Sequence, residues 1–141
     1  MKGFENHSYL LAYTISNIVA LLFLLISARW PKAGRLIFSL LFAWAGWINW
    51  RTALNTPEYY LYYSDLAIPL YRQIIQGWFS RHITLAVGTI ASCQLLIAGG
   101  LLLKGRIYKI AVIGAVGFLL AIMPLGVGSG FPCTLILAVT L

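Results

Sequence analysis

Long apolar stretches alternate with short polar ones along this chain, and the pattern predicts membrane-spanning helices. Residues 9–29 and 83–103 carry no charge before Arg29, and each is about as long as the roughly 20 residues that a helix needs to cross a bilayer. Two further apolar stretches cover residues 36–53 and 110–130. The predicted fold class is therefore an all-α membrane protein, a single domain built as a bundle of four transmembrane helices.

The stretch between the second and third spans, residues 55–82, is too polar to cross a bilayer; we call it the connecting segment. Its first residues have the pattern of a helix N-terminus, with Asn55 as the cap and Pro57 in the first turn. Pro69 separates this start from a second helix, whose apolar residues share one face: Leu70, Tyr71, Ile74, Ile75 and Trp78. This amphipathic pattern predicts an external interfacial helix, which either anchors in the lipid surface or covers the bundle as a lid.

The fourth apolar stretch loses its helical pattern after Met123, where glycine and proline dominate residues 124–132. As one helix, residues 110–141 would be about 48 Å long at 1.5 Å per residue, which exceeds a hydrocarbon core of about 30 Å. The chain must therefore bend, and residues 131–141 either lie at the surface or re-enter the membrane. A helical return over those residues would reach only about half-way across, and a truncated chain is an alternative explanation.

Composition supports the membrane class, because 61% of the residues are hydrophobic and only 9% are charged. Soluble domains carry about 25% charged residues. The net charge of +7 would suggest a nucleic-acid partner in a soluble protein. Here the basic residues flank the spans, where they set topology and contact anionic lipid. The expected partner is the lipid bilayer, and not nucleic acid.

The distribution of charge also predicts an orientation. Four spans place the termini and the connecting segment on one side of the membrane and the two short turns on the other. The turn side holds six basic residues: Arg29, Lys32, Arg35, Lys104, Arg106 and Lys109. The opposite side holds four basic residues, which are offset by all three acidic residues of the chain: Lys2, Arg51, Arg72 and Arg81, against Glu5, Glu58 and Asp65. The positive-inside rule then predicts cytoplasmic turns, with the connecting segment and N-terminus external, in a membrane such as the bacterial inner (plasma) membrane.

Few side chains suit catalysis or metal binding. Cys93 and Cys133 form neither a CxxC motif nor a cluster with histidine, so no disulfide framework or metal site is indicated; we expect Cys93 to be a small buried residue. Asp65, Arg72 and His82 are expected at the external rim, where a carboxylate and a histidine could perform acid–base work. Their spacing matches no catalytic motif, and the histidines do not lie at the depth that haem ligands would require. We therefore predict no catalytic residue in this chain.

Polar and aromatic side chains inside the spans form the candidate site. An amide within a span needs a hydrogen-bond partner, and Asn17 and Gln94 lie within the first and third spans. The candidate partners of Gln94 are Asn17 and Asn49. Trp44 and Trp47 are three residues apart, so they share one side of the second helix. Polar groups within a membrane are functional candidates, and we expect ligand or partner contacts from this set: Trp44, Trp47, Asn49, Gln94 and Asn17.

Residues 35–132 resemble the DoxX-like group of small four-helix membrane proteins. Arg35 and Gly46 match a span of that group that opens with arginine and carries a late glycine. The stretch QLLIAGGLLLKGR is similar to a later span and its closing turn, through Gln94, Gly99, Gly100, Gly105 and Arg106. The run Pro124-Leu125-Gly126-Val127-Gly128 is similar to the endings of such proteins. Two positions depart from the group's pattern: Gln94 replaces a common glutamate, and Asn49 replaces a lysine that often follows the glycine.

The resemblance implies an accessory role, because several proteins of that group are membrane subunits of thiosulfate–quinone or thiol redox systems. Our first hypothesis is an accessory subunit of a membrane redox protein, with a quinone or similar lipophile bound by Trp44, Trp47, Asn49 and Gln94. The alternative is a small-molecule or lipid transporter that acts as a homo-oligomer, with a polar path through Asn17 and Gln94. A third hypothesis is purely structural, with the polar residues only holding the helices together.

Overall fold

The computed structural model describes residues 7–129 and 131–141. Within these residues the chain is mostly helical and contains no β-strand. It forms seven α-helices: α1 (His7–Arg29), α2 (Pro31–Asn55), α3 (Tyr63–Leu66), α4 (Pro69–Ile74), α5 (Ile83–Leu102), α6 (Arg106–Ile122) and α7 (Cys133–Thr140). Three shorter helical turns complete it: the 3₁₀ turns Pro57–Tyr62 and Met123–Ser129 and the π turn Ile75–Phe79. The all-α class is confirmed.

In the described part of the chain, three helical stretches are long and apolar enough to cross a membrane: Leu10–Arg29, Ile83–Leu102 and Arg106–Leu125. They correspond to the first, third and fourth spans expected from the sequence. The helix between them, α2, has 25 residues and is about 37 Å long at 1.5 Å per residue. It is less apolar than the other three because it carries arginines and an asparagine among its tryptophans.

The connection between α1 and α2 is shorter than the sequence suggested. The second apolar stretch starts at residue 36, whereas α2 already begins at Pro31, because only Trp30 leaves the helical conformation, at φ −135° and ψ 82°. Pro31 occupies the first turn of α2, where its missing N–H needs no partner. Gly34 lies inside the helix, and a Cβ there would be 3.0 Å from the Cα of Ser27. The two helices therefore meet in near contact.

Five of the helices form a closed ring. α2 packs most extensively against α5, α5 packs against α6, and α6 packs against α7; α7 packs against α1, which returns to α2. The interior is filled mainly by small and aromatic side chains, as close helix contacts in membranes require: Ala20, Phe38, Phe42, Ala98, Leu101, Ala111, Ala115, Leu119, Cys133, Leu137 and Ala138. Edge-to-face contacts join Phe23 to Phe38 and Phe42 to Phe118.

The last helix, α7, completes this ring. Cys133, Leu137 and Ala138 are buried in the shared core, so residues 133–140 pack back against the bundle, as the re-entrant alternative requires. Leu141 lines a cavity with Ser27, beside the α1–α2 connection, so the return ends near that connection; the depth expected for it in a membrane stays a prediction. The 3₁₀ turn Met123–Ser129 packs against both α6 and α7.

The connecting segment folds over the end of the bundle. The Tyr71 hydroxyl donates to the Ala121 carbonyl at 2.7 Å, and the Ile68 N–H donates to the Pro124 carbonyl at 3.2 Å. The expected cap at Asn55 is wrong, because α2 continues through that residue and Thr56 precedes the next helical turn. The segment therefore covers the bundle on one side. Its other side keeps an exposed apolar strip that is suited to lipid: Leu70, Ile74 and Trp78.

At the opposite end, which we call the turn end, Arg35 joins the two short connections. Its Nη2 donates to the carbonyls of Leu101 at 2.9 Å and Leu103 at 2.6 Å, and its Nε donates to Leu101 at 3.2 Å. The guanidinium also lies 4.1 Å from the ring centre of Tyr108. A cation is favourable here because the carbonyls at a helix C-terminus carry partial negative charge. One side chain therefore fastens α2, α5 and α6 together.

Candidate functional site

The candidate site lies along the seam between α2 and α5, which run antiparallel in close contact. Near the turn end, the Ser39 hydroxyl donates to the Ala98 carbonyl at 2.7 Å. At mid-length, a Cβ on Gly46 would lie 2.9 Å from the Ala91 carbonyl oxygen, so only glycine allows this approach. The small side chains thus bring the backbones together and leave larger groups to project from the flanks of the seam.

Three polar side chains form a hydrogen-bonded chain on one flank; we call it the polar trio: Tyr60, Asn49 and Gln94. Asn49 Nδ2 donates to Gln94 Oε1 at 2.8 Å, and the Tyr60 hydroxyl donates to Asn49 Oδ1, also at 2.8 Å. Side chains on a helix lean toward its N-terminus, so in this antiparallel pair Asn49 and Gln94 lean toward each other. The expected pairing of Gln94 is confirmed for Asn49.

The trio connects the interior of the helix bundle to the connecting segment. Gln94 is only 2% exposed, whereas Tyr60 lies in the 3₁₀ turn that follows α2. Burial raises the pKa of the Tyr60 phenol above its ordinary value of 10.0, and the neighbouring Tyr59 raises it further, while a hydrogen bond with the Thr52 side chain lowers it. Tyr60 is therefore neutral at physiological pH and remains a hydrogen-bond donor.

An open groove lies beside the seam, toward the connecting segment. It has a volume of about 540 Å³ and is lined by Trp50, Thr84, Leu85, Gly88, Thr89 and Ser92. Gly88 makes room for the indole, since a Cβ there would lie 3.0 Å from the Trp50 ring. The hydroxyls of Thr84, Thr89 and Ser92 donate to the backbone carbonyls of Ala53, Leu85 and Gly88. The groove is therefore mostly apolar and its hydroxyl donors are already satisfied.

Trp50 adds one hydrogen-bond donor to the residues that line this groove. Among the residues that the structure describes, none accepts a hydrogen bond from its indole N–H. An indole combines a large apolar face with one donor at its edge. The groove could thus stack a flat apolar ring on Trp50 and bind an oxygen of the same molecule through the N–H.

The two other tryptophans of α2 lie elsewhere. Trp44 and Trp47 are 61% and 55% exposed, so they face outward from the bundle and do not enclose a pocket with Gln94. Trp47 also lies beside Arg51, whose guanidinium carbon is 5.6 Å from the ring centre. Of the four residues expected to line one site, the structure brings together Asn49 and Gln94.

Asn17, the remaining residue of the expected set, bonds within its own helix. Its Nδ2 donates to the Tyr13 carbonyl at 2.9 Å. Its Oδ1 is buried and has no hydrogen-bond partner in the described part of the chain. The hydrogen bonds that the structure shows thus link Gln94 to Asn49, and Asn17 to α1.

The residues expected at the rim do not converge on one point. Asp65 is exposed. The Nε of Arg72 donates to the Ser64 carbonyl at 3.0 Å and so braces the connecting segment. His82 stacks on Trp78 with ring centres 5.0 Å apart, and its Nδ1 lies 3.1 Å from the Trp78 carbonyl oxygen. Arg72 and His82 therefore hold the local backbone.

The cysteines differ in environment. Cys93 is exposed, so the expectation of a buried residue is wrong; it lies between Ala91 and Gln94, which face the seam, and points away from it. Cys133 is buried in the ring. Within residues 7–129 and 131–141, no three or more His, Cys, Asp or Glu side chains come together as a metal site.

Sequence reasoning missed Tyr60 and the groove. Tyr60 is one of four tyrosines at residues 59–63, and nothing in that run distinguishes the one that faces inward. The groove had a partial signal, because the small residues Gly88 and Ser92 are four apart and allow close approach on one helix face. The occupant of that space is the indole of Trp50.

Comparisons of the chain with protein-family models, with curated proteins and with solved structures gave no match.

Proposed function

We propose that this protein is a four-span integral membrane protein that binds a quinone-type lipophile in the groove beside Trp50, as an accessory subunit of a membrane redox system. The groove carries the binding part of the proposal. Its volume of about 540 Å³ falls in the range of about 300–1,000 Å³ typical of small-molecule sites. Its aromatic wall and single donor suit a flat ring that bears a carbonyl oxygen.

The position of the groove supports a ligand that arrives from the bilayer. Thr89 and Leu85 are exposed on the flank of α5, which is one of the helices apolar enough to cross a membrane. A lipophile can therefore enter sideways from the hydrocarbon without passing the connecting segment. The polar trio lies on the other flank of the seam and holds the connecting segment in place above it.

The four-span arrangement includes α2 as a span. Its length of about 37 Å exceeds a hydrocarbon core of about 30 Å, and it packs along most of α5. Arg35 and Arg51 lie near its two ends, where arginine side chains can extend to the interface. The basic turn end then faces the cytoplasm and the connecting segment faces outward. The accessory role rests on the DoxX-like resemblance alone.

The proposal is tested by purifying the protein in a mild detergent and identifying all co-eluting proteins and lipophiles by mass spectrometry. We expect a quinone in near-stoichiometric amount and a redox protein as partner. Thr89→Phe places a ring in the open groove and should lower the quinone content at least about fivefold. Cys93→Phe adds a ring to the same helix outside the groove and serves as the matched control.

A second variant tests the hydrogen-bond donor of the groove, the indole N–H of Trp50. Trp50→Phe keeps an aromatic wall but removes the N–H, so quinone should bind several-fold more weakly, by the loss of about one hydrogen bond. A protein that elutes with bulk lipid alone, or a quinone content that Thr89→Phe and Cys93→Phe lower equally, would contradict the proposal. A clean homo-oligomer that moves a solute in a flux assay would replace it with the transport hypothesis.

A further inference from the structure

The three hydroxyl groups that line the groove beside Trp50 all donate their hydrogens to the protein itself. The Thr84 hydroxyl donates across the seam to the Ala53 carbonyl at 3.1 Å. The Thr89 and Ser92 hydroxyls donate to carbonyls four residues earlier on α5, at 2.8 Å and 2.9 Å. None of these three donors is therefore free for a ligand in the groove.

The oxygens of the same hydroxyls remain available as acceptors. A hydroxyl has one donor hydrogen and two acceptor lone pairs. In the described part of the chain, no group donates a hydrogen bond to the oxygen of Thr84, Thr89 or Ser92. The polar lining of the groove from α5 thus offers a ligand lone pairs, and no hydrogens.

Rotation of a hydroxyl would not change this preference. The bond from Thr89 or Ser92 to its own helix is one that such side chains commonly make. Turning the hydrogen toward a ligand would exchange one hydrogen bond for another, with no net gain. A ligand O–H that donates to the oxygen adds a bond and breaks none, so the lining favours a ligand that brings its own donors.

Two of the acceptors lie close together. Thr89 and Ser92 are three residues apart, so they share one side of α5 and are separated by about 4.5 Å along the helix axis. Both line the groove, and the rest of its lining is mainly apolar. A single flat ring can therefore face both oxygens from inside the groove.

We propose that the groove selects the reduced form of its ligand, the quinol, over the oxidised quinone. The inference rests on the proposed function of the groove as a quinone-type site. A quinol carries two O–H donors, whereas a quinone carries only carbonyl acceptors, whose oxygens would meet those of Thr89 and Ser92 with no hydrogen between them. The Trp50 indole N–H serves both forms, because carbonyl and hydroxyl oxygens both accept.

Selective binding of the quinol changes the redox potential of the bound couple. A quinone becomes a quinol by taking up two electrons and two protons, and a site that binds the product more tightly makes this reduction more favourable. For a two-electron couple, each tenfold preference raises the midpoint potential by about 30 mV. In a redox complex the groove would thus hold the product of quinone reduction.

The test titrates the purified protein with decylubiquinol, and separately with decylubiquinone, by calorimetry in a non-ionic detergent without oxygen. The quinol should bind at least about fivefold more tightly, by the gain of about one hydrogen bond. Thr89→Val keeps the shape of the side chain but removes the acceptor, so the affinity ratio should fall to near unity. Thr14→Val is the matched control, because the exposed Thr14 hydroxyl also donates to a carbonyl four residues earlier, on α1.

The outcomes separate this inference from the function on which it rests. Equal binding of the two forms, or tighter binding of the quinone, overturns the selection and leaves the groove as a quinone site. Binding of neither form overturns the proposed function as well. A ratio that stays equally high in Thr89→Val and Thr14→Val also overturns the inference. Should Thr89→Val not fold, Ser92→Ala must lower the ratio at least about threefold, by the loss of the neighbouring acceptor.

Discussion

Single polar side chains have large effects on the stability of this protein because their apolar surroundings offer few hydrogen-bond partners. Gln94 is almost fully buried between apolar helices, and its partner Asn49 is bonded in turn by Tyr60. Removing one member of such a chain leaves the next with an unsatisfied buried group. The trio therefore behaves as a unit, and it couples the conformation of the connecting segment to the α2–α5 seam.

Gln94→Leu tests this coupling. The variant should lower the free energy of unfolding by about 1–2 kcal/mol, because Asn49 Nδ2 loses its acceptor inside the bundle. Thermal unfolding in detergent, followed by circular dichroism, measures the change. Gln73→Leu, at an exposed position of α4, is the control and should change stability by less than about 0.5 kcal/mol. Equal effects in the two variants would show that the trio contributes nothing.

The Tyr60 phenol predicts a loss of stability at alkaline pH. Its pKa in the folded protein is raised above 10.0 by burial, so the unfolded chain ionises first as pH rises. The stabilisation is complete below pH 10 and is lost as pH rises through the raised folded value. Unfolding measured between about pH 8 and 12 should show this loss in the native protein. Tyr60→Phe should remove the part of this loss that comes from ionisation of the phenol, whereas Tyr62→Phe, at an exposed ring, should not.

At the residue scale, the sequence predicts which side chains need a hydrogen-bond or packing partner inside a span, but not which neighbour is that partner. An amide at mid-span must pair, so the Asn49–Gln94 bond could be anticipated. Trp44 and Trp47 have the same chemistry as Trp50, and only the rotation of α2 about its axis decides which indole packs against Gly88. That rotation is set by contacts with α5, which are tertiary.

The helices approach each other where glycine replaces a side chain, and two adjacent glycines of α5 show the difference. A Cβ on Gly100 would lie 2.8 Å from the Cβ of Ala111 on α6, whereas a Cβ on Gly99 would meet nothing within 4 Å. The first glycine is thus required for packing. The second only reduces helix stability, because glycine is a poorer helix former than alanine.

Alanine substitution at these two positions should give opposite results. Gly100→Ala should destabilise the protein by about 1–3 kcal/mol, because α5 and α6 must separate or distort. Gly99→Ala should be neutral or stabilising by up to about 1 kcal/mol. Chemical unfolding in mixed micelles measures both values. A Gly100→Ala variant as stable as Gly99→Ala would contradict the close α5–α6 contact.

At the element scale, hydrophobic periodicity predicted the existence of the long helices better than their ends. The start of α2 at Pro31, ahead of the apolar stretch at residue 36, could not be predicted, because proline suits both a loop and a first helical turn. The path of the chain through α7 could not be settled from its length, since α7 is held in place by tertiary contacts with α1 and α6. Both differences arise at connections between helices, where local geometry and tertiary contacts matter more than the hydrophobic pattern.

For the whole molecule, the ring separates two chemically different ends. The turn end is basic and is held together by Arg35. The other end is covered by a segment rich in tyrosine whose exposed apolar strip suits the headgroup region. This asymmetry is the basis of the proposed orientation, since translocation of a basic end is disfavoured.

Thiol labelling of intact cells tests the orientation. Single cysteines are introduced as Asp65→Cys in the connecting segment and Lys104→Cys at the turn end, in a background that carries Cys93→Ser and Cys133→Ala. A membrane-impermeant maleimide should label the first variant and not the second. Permeabilised cells, in which both should react, control for accessibility. Labelling of the Lys104→Cys variant alone would reverse the orientation.

The closed ring has a consequence for biosynthesis. α1 packs against α2 and α7, and Ala20, in the middle of α1, has no exposed surface in the finished fold. The ribosome makes α1 first and α7 after all the other helices described here. Until α7 has been made, the flank of α1 that it will cover has no partner within the chain. The earliest of these helices thus obtains its full set of neighbours only when the latest one packs against it.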